Sequence, residues 1–333
     1  EGMMEEKRAA LVSTGGTIEM VPGPAGFQIR SPENGHNDVQ LIDSGLLPGC
    51  EVEHFKLFAL PSPQMTPSRM AELCRFVGDL RRTGRFDGIV VTHGTDTLEE
   101  SAFLADISMG EGCPVVFTAA MRSSAELGVD GPRNIRAALL TATCPDFHNF
   151  GVAVVLNDEI HAACRVTKTY TSNVGSFASP GYGPIGYVDE DRVFLVNRPC
   201  WSLRLPPGDP VLDERVGLVR TAAGLGAREL RFCVSQGDRA VVLEAFGRGN
   251  VPPDVANAVG EAHEAGVLVA VVSRCYVGRV LGVYGYVGGG SDLVARGAIL
   301  AGDMHGHKLR LFLMAALGAG MGREEIAELM ERL

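Results

Sequence analysis

The sequence has no apolar run near the roughly 20 residues that a membrane-spanning helix requires. It also lacks a dense block of lysine or arginine, and its formal charge is −10, so binding to nucleic acid or to an anionic membrane has little electrostatic support. Residues 1–7 do not contain the apolar segment that forms the core of a signal peptide. These absences predict a cytoplasmic protein that binds neither nucleic acid nor membrane.

The eight cysteines include no C-x-x-C pair, and most lie within apolar segments. Disulfide frameworks are typical of short secreted chains, whereas this chain has 333 residues. We therefore expect reduced thiols, in agreement with a cytoplasmic location. No internal period of about 20–50 residues is present, which argues against a repeat architecture.

Hydrophobic residues make up 46% of the chain, which is enough for a sizeable core, and the length exceeds that of one typical domain. Short apolar runs alternate with segments of helical periodicity, such as residues 67–82. This alternation predicts two α/β domains. The larger one, residues 1–197, is expected to have a mostly parallel sheet with helices on both faces, and the smaller one covers residues 215–333. Residues 198–214, which are rich in proline, are the predicted linker.

Two predicted strands end in short turns that combine glycine with hydroxyl groups: residues 14–17 (TGGT) and residues 92–96 (THGTD). Because the carboxyl ends of parallel strands converge on one crevice, both turns are candidates for a ligand site. Glycine lets the backbone approach a ligand closely, and helix N-termini offer unpaired N–H groups. The alternative interpretation is that residues 95–97 only cap the helix that follows.

At these two turns the chain resembles the bacterial-type L-asparaginase family. Residues 14–18 (TGGTI) match the first signature of the family, and residues 93–100 (HGTDTLEE) match the second. Two further blocks of the family occur in the same order, as residues 120–122 (AMR) with 130–134 (DGPRN) and residues 165–177 (RVTKTYTSNVGSF) with 182–188 (YGPIGYV). The resemblance covers nearly the whole chain. It implies an amidohydrolase that cleaves the side-chain amide of asparagine to aspartate and ammonia.

By this resemblance Thr14 corresponds to the first-turn threonine that is usually assigned as the nucleophile. Thr95, Asp96 and Lys168 correspond to the second threonine, the aspartate and the lysine of the family. A threonine hydroxyl is a weak nucleophile and needs a base within hydrogen-bonding distance, a role that a lysine can take in its neutral form. Asp96 would orient the lysine or hold a substrate ammonium. The sequence leaves open which threonine attacks.

The resemblance also implies the remaining parts of the site. Substrate-binding roles are implied for Gly15, Ser62, Gly94 and Asn250, and a lid is implied for Thr17 and Phe27. Backbone N–H groups of the glycine turns are expected to stabilise a tetrahedral oxyanion. The implied assembly is a homotetramer built from tight dimers, with each site at a seam between two subunits and a small amide as substrate.

Three positions depart from the family pattern. Pro63, which has no N–H, follows Ser62 where the family often has a side-chain donor, and Gln64 would have to compensate. Phe27 stands where family members commonly carry a tyrosine on the mobile first loop. Residues 282–293 contain no glutamate, which many secreted-type members supply from the neighbouring subunit; the polar candidates there are Tyr284, Tyr286 and Asp292.

These departures leave two alternatives to asparagine hydrolysis. The chain would be an amidase for a different small amide, or a non-catalytic descendant that only binds an amino acid. The joint presence of Thr14, Thr95, Asp96 and Lys168 favours an enzyme, since binding alone would not require that set.

Neither a metal ion nor a cofactor is expected. His305 and His307 are two positions apart and would point to different sides of a helix, so residues 303–308 (DMHGHK) are interpreted as the capped start of a helix near His307. Residues 285–292 (GYVGGGSD) lack the Lys-Ser/Thr ending of a phosphate-binding loop and are interpreted as a flexible inter-subunit loop.

Overall fold

A computed structural model describes residues 6–29, 46–199 and 203–333 of the chain. The chain divides into two compact units: unit 1 is Glu1–Trp201 with Pro207–Asp209, and unit 2 is Ser202–Pro206 with Pro210–Leu333. Each unit contains one main β-sheet with helices packed on it, and unit 1 also has two two-stranded sheets. The predicted fold class of two α/β domains, the larger one N-terminal, is confirmed.

The strands of unit 1 are β1 (Lys7–Gly15), β2 (Met20–Gly23), β3 (Gly26–Ile29), β4 (Cys50–Leu60), β5 (Gly88–Thr92), β6 (Val115–Thr118), β7 (Ala153–Leu156), β8 (Glu159–Ala162), β9 (Thr167–Lys168), β10 (Phe177–Ala178), β11 (Gly186–Asp189) and β12 (Arg192–Leu195). Its α-helices are α1 (Pro67–Arg82), α2 (Leu98–Ser108) and α3 (Gly131–Ala142).

The main sheet of unit 1 has eight strands in the order β12-β11-β8-β7-β6-β5-β1-β4. Strands β4, β1, β5, β6 and β7 run parallel, and β8, β11 and β12 continue the sheet in antiparallel pairing. From β1 the chain passes to β4 at the sheet edge and then returns to β5 on the other side of β1, so the strand order reverses there. In open α/β sheets, ligands bind outside the carboxyl ends of the strands at such a reversal. The turns that follow β1 and β5 therefore lie at the expected position of a ligand crevice.

The burial of strand β1 explains why its sequence is a continuous apolar run and not an alternation of apolar and polar residues. Residues 9–12 are completely buried, so both faces of the strand are covered, as is usual for the centre of a parallel sheet. Strand β4 at the edge has half-buried residues along most of its length and carries charged side chains, which is typical of an edge strand.

Helix α1 begins where the sequence predicts it. The hydroxyl of Thr66 accepts a hydrogen bond from the Arg69 N–H at 3.3 Å, and Pro67 occupies the first helical position, where a missing N–H costs nothing. The apolar stripe that includes Met70, Leu73 and Val77 is buried, so packing of this face stabilises the helix.

Unit 2 contains the strands β13 (Val216–Arg220), β14 (Ala240–Ala245), β15 (Leu268–Ser273) and β16 (Ile299–Leu300) and the helices α4 (Arg228–Ser235), α5 (Pro253–Glu264), α6 (Gly290–Ala295), α7 (Gly306–Gly318) and α8 (Arg323–Glu331). The four strands form one parallel sheet in chain order.

Helix α7 corrects one prediction from the sequence. Its N-cap residue is His305, but the imidazole makes no capping hydrogen bond and its Nε2 instead lies 3.2 Å from the carbonyl oxygen of Tyr276. The predicted helix start near His307 with His305 at the cap is confirmed, and only the expected side-chain capping bond of His305 is not found. None of the helices in the described ranges combines the length and the apolar character that a membrane crossing requires.

Candidate active site

The first turn leaves the end of β1 beside the end of β5. Thr14, which is 1% exposed, donates its hydroxyl hydrogen to the carbonyl oxygen of Thr92 at 2.9 Å. Thr92 is the last residue of β5, so this bond joins the carboxyl ends of two neighbouring parallel strands. The Thr14 side chain is thus buried between the carboxyl ends of β1 and β5.

Two glycines allow the turns to touch. Gly16 has a φ of 84°, and a Cβ atom at this position would lie 2.5 Å from the Gly94 Cα. A Cβ atom on Gly94 would in turn lie 2.6 Å from the Ser62 Cβ. Because real Cβ atoms do not approach other atoms so closely, only glycine fits at both positions. The backbones at residues 16, 94 and 62 therefore converge, and Thr17 and Thr95 follow directly after the two glycines.

Ser62 fixes the start of the second turn. It is 5% exposed; its Oγ accepts the N–H of Asp96 at 3.1 Å, and its carbonyl oxygen accepts the hydroxyl of Thr97 at 2.9 Å. Thr97 is the N-cap residue of α2, yet its side chain makes no capping bond. The interpretation of residues 95–97 as a simple helix cap is thus wrong for Thr97, whose hydroxyl binds Ser62.

Lys168 connects the second turn to the β9–β10 pair. Its Nζ donates to Thr95 Oγ1 at 2.9 Å and to Asp96 Oδ1 at 2.7 Å. Thr95 is 6% exposed, whereas the Asp96 side chain is 56% exposed. The structure therefore brings together three of the residues proposed from the sequence, although Lys168 lies more than 70 positions after Thr95 and Asp96 along the chain.

His93 is fully buried beneath the second turn. Its Nδ1 donates to the carbonyl oxygen of Gly94 at 2.8 Å, because a carbonyl oxygen can only accept, and its Nε2 therefore accepts the Ser101 hydroxyl at 2.9 Å. Burial lowers the pKa of His93 to about 4, so the ring is neutral near pH 7. The imidazole ties the turn to α2 without carrying charge.

The backbone N–H groups of the first turn are already bonded. The N–H of Gly15 donates to Glu19 Oε1 at 3.1 Å, and that of Gly16 donates to the carbonyl oxygen of Leu60 at 3.0 Å. These two groups are consequently not the oxyanion donors that the sequence suggested. Glu19, which is 4% exposed, was not proposed from the sequence. The sequence feature that could have identified Glu19 is a carboxylate just after a glycine turn, since the N–H groups of such a turn need acceptors.

The block formed by residues 120–122 and 130–134 supports the turn after β6. The carboxylate of Asp130 accepts the N–H groups of Met121 and Arg122 at 3.0 and 2.9 Å. The Asn134 amide donates to the carbonyl oxygen of Ala119 at 2.9 Å. These bonds hold the backbone of a third loop at the carboxyl ends of the parallel strands.

The structure places the remaining predicted residues as follows. Thr17 is half-buried at the start of a short 3-10 helix, and Phe27 lies on β3 with its ring 52% exposed. Asn250 belongs to unit 2, where its carbonyl oxygen accepts the Phe246 N–H at 2.9 Å. The proposed roles of these three residues stay predictions.

A hydroxyl, an amine and a carboxylate joined by hydrogen bonds thus lie at a strand-order reversal, where α/β enzymes bind their ligands. The family model described as "Asparaginase, N-terminal" matches residues 8–201, and the one described as "Glutaminase/Asparaginase C-terminal domain" matches residues 215–330. The chain belongs to this asparaginase family, whose members are hydrolases acting on amide bonds.

Similar proteins include the probable L-asparaginase of Deinococcus radiodurans, which is 38% identical over 328 residues, covering 96% of this chain and 95% of that protein. The L-asparaginase of Bacillus licheniformis is 33% identical over 318 residues, covering 94% of this chain and 96% of that protein. Among solved structures, the crystal structure of the probable cytoplasmic L-asparaginase from Campylobacter jejuni has a TM-score of 0.82 at 28% identity, covering 98% of this chain and 99% of that chain.

Proposed function

We propose that this protein hydrolyses the side-chain amide of asparagine to aspartate and ammonia. The observation that supports this most directly is the contact of Lys168 Nζ with the Thr95 hydroxyl at 2.9 Å and with Asp96 Oδ1 at 2.7 Å. A weak hydroxyl nucleophile requires a base within hydrogen-bonding distance, and the Lys168 amine lies at that distance from Thr95. The L-asparaginases of similar sequence and structure support the same reaction.

The reaction has two steps in this proposal. A threonine hydroxyl attacks the amide carbon, and ammonia leaves as an acyl-enzyme forms; water then releases aspartate and restores the hydroxyl. As the general base, Lys168 takes up the proton through Thr95 and returns it to the departing ammonia. Asp96 holds the lysine with one oxygen, and its second oxygen, on a largely exposed carboxylate, pairs with the ammonium group of the substrate.

We assign the attacking hydroxyl of the first turn to Thr17 in place of Thr14. The Thr14 hydroxyl is 1% exposed and committed to the carbonyl oxygen of Thr92. Thr17 is half-buried, and no hydrogen bond of its hydroxyl is found within the described part of the chain. It also follows Gly16, whose backbone touches Gly94 just before Thr95. These observations favour Thr17 as the group that faces a substrate.

The remaining contacts suit a small amino-acid amide. Ser62 Oγ accepts the Asp96 N–H, so its own hydrogen is left to donate to a substrate carboxylate. Ser62 and Gly94 are in tight contact, and a side chain at position 94 would fill the narrow space between them. Since the N–H groups of Gly15 and Gly16 are bonded, we assign the oxyanion contacts to the N–H groups of Thr17 and Thr95.

Four variants test the assignment of roles. Thr17→Val, Thr95→Val and Lys168→Met should each lower kcat by at least about 10³-fold, as loss of a nucleophile or of its base does. Thr14→Val is the matched control in the same turn. It should keep kcat within about tenfold, while the unpaired carbonyl oxygen of Thr92 lowers the free energy of unfolding by roughly 1–3 kcal/mol.

The measurements are ammonia release at saturating asparagine and mass mapping of the acyl-enzyme after an acid quench. The acyl group is expected on the peptide that contains Thr17. If Thr14→Val is inactive and Thr17→Val is active, Thr14 is the nucleophile. If the acyl group is found on Thr95, Thr95 is the nucleophile.

Two positions favour a second candidate, an amidase for a different small amide. Pro63 replaces a side-chain donor next to Ser62, and the exposed ring of Phe27 carries no hydroxyl. Ammonia release over a panel of asparagine, glutamine, their D-isomers and amides without an α-amino group separates the two. A kcat/KM for an amide without the α-amino group above that for asparagine would select the second candidate.

For the assembly and location, we propose a cytoplasmic homotetramer. The family resemblance and the similarity to a probable cytoplasmic L-asparaginase support this proposal. Light scattering at assay concentration should give the mass of a tetramer, and a catalytically active monomer or dimer would contradict the proposal.

A further inference from the structure

A second buried hydrogen-bonded set lies in unit 1, outside the residues assigned above. His161 on β8 is 1% exposed, and Ser179 just after β10 is 4% exposed. The Nδ1 of His161 lies 3.0 Å from Ser179 Oγ, and its Nε2 lies 3.2 Å from Glu159 Oε2. The imidazole therefore has one partner on each ring nitrogen.

The partners determine the direction of these bonds. A carboxylate can only accept, so Nε2 of the neutral ring carries the hydrogen and donates it to Glu159. Nδ1 is then an acceptor, and the Ser179 hydroxyl donates to it. Burial lowers the pKa of His161, which keeps the ring in this neutral form.

Residues 161 and 179 are the two ends of the segment that carries Lys168. After β8 the chain turns through N–H bonds of Arg165 and Val166 to the carbonyl oxygen of Ala162 and enters β9, where Lys168 is paired with Phe177 of β10. From β10 the chain returns to Ser179. The bond from Ser179 to His161 thus closes the base of a loop whose middle places Nζ against Thr95 and Asp96.

We infer that Ser179 and His161 are positioning residues that hold the loop bearing Lys168 and so set the place of its amine. Glu159 assists by fixing the hydrogen on Nε2. The catalytic consequence rests on the proposed function, because it assumes that Lys168 transfers the proton. The effect on the loop does not rest on the proposed function, because it concerns only the contacts between residues 161 and 179.

Ser179→Ala removes the donor, and Ser179→Thr keeps it. We expect Ser179→Ala to lower kcat by about tenfold with KM within about twofold, since a small misplacement of a catalytic group slows chemistry more than binding. Ser179→Thr should restore kcat to at least about half of the wild-type value. Thr141→Val, which removes an equally buried hydroxyl from α3, is the control and should leave kcat unchanged.

Glu159→Ala offers a milder test, because the Glu159 side chain is 48% exposed and its loss is compatible with folding. It should lower kcat by about threefold, and Glu159→Gln, whose amide oxygen still accepts, should restore it. Full activity of both Ser179→Ala and Glu159→Ala, in a wild-type background that releases ammonia, would overturn the positioning role.

Hydrogen–deuterium exchange gives a readout that does not need activity. Amides of residues 165–178 should exchange at least about threefold faster in Ser179→Ala than in the wild type, while those of β5 and β6 stay unchanged. If the wild-type protein releases no ammonia from any amide, the proposed function fails, and the exchange experiment alone decides the inference. Unchanged exchange over residues 165–178 would then overturn it.

Discussion

Acidification should destabilise unit 1 through the imidazole of His93. In the neutral ring, Nδ1–H binds the Gly94 carbonyl oxygen and Nε2 accepts the Ser101 hydroxyl. A second proton would add a charge to a fully buried ring and place a hydrogen on Nε2, so the Ser101 hydroxyl would have to turn round to accept it. Folding therefore opposes protonation of His93.

The size of the effect follows from the pKa difference between the two states. Burial lowers the pKa from 6.5 to about 4, and at roughly 1.4 kcal/mol per unit this corresponds to about 3 kcal/mol. Below pH 6.5 the unfolded chain takes up the proton while the folded chain does not. The free energy of unfolding therefore falls as the pH drops from 6.5 to about 4, and this contribution is lost completely below about 4.

Urea unfolding at about pH 7 and about pH 4 measures this contribution when the wild type is compared with His93→Gln. The wild type should lose about 3 kcal/mol more than the variant over that interval, because glutamine does not titrate. His148→Gln, at an exposed position, is the control and should lose as much as the wild type. Equal losses for the wild type and His93→Gln would refute the role given to the buried ring.

Three further substitutions test two residues of the site and one helix position in unit 2. Gly94→Ala would place a Cβ atom 2.6 Å from the Ser62 Cβ, so kcat should fall by at least about 10²-fold in the ammonia assay. Gly260→Ala in α5, where the added atom meets open space, should raise the free energy of unfolding by up to about 1 kcal/mol. Phe27→Tyr adds a hydroxyl to an exposed ring and should change kcat on asparagine by less than about threefold; a gain above about tenfold would indicate that Thr17 lacks activation.

The sequence predicts the parallel part of unit 1 well because its strands are buried on both faces. Apolar runs such as residues 9–13 and 88–91 stand out against the helical segments, and the ends of these runs locate the two turns of the site. Strand β4 gives no such signal, because its half-exposed side chains mix charged and apolar residues. Without β4 the reversal of strand order at β1 cannot be deduced from the sequence, although that reversal marks where a ligand is expected to bind.

The different placement of Thr14 and Thr17 could not be predicted from the sequence pattern. Both hydroxyls lie within one short signature, and the signature is the same whichever of them faces the substrate. The difference comes from Gly15 and Gly16, whose φ angles of 101° and 84° turn the chain between the two threonines. Thr14 is left inside the sheet end and Thr17 on the turn, and this turn geometry cannot be deduced from residue types alone.

The residues in and around the site fall into two groups. One group is held in place by backbone contacts, and the other lies at exposed positions. Thr95 and Lys168 are fixed by contacts of Gly94 with Ser62 and Gly16 and by the β9–β10 pair, so substitutions there disturb the sheet ends as well as the chemistry. Phe27 and Pro63, where the chain departs from the family pattern, are exposed and make no hydrogen bond to Thr95 or Lys168 within the described residues. Changes at exposed positions alter recognition at little cost in stability. Under the proposed function, substrate preference can therefore diverge at Phe27 and Pro63 while the contact between Lys168 and Thr95 stays intact.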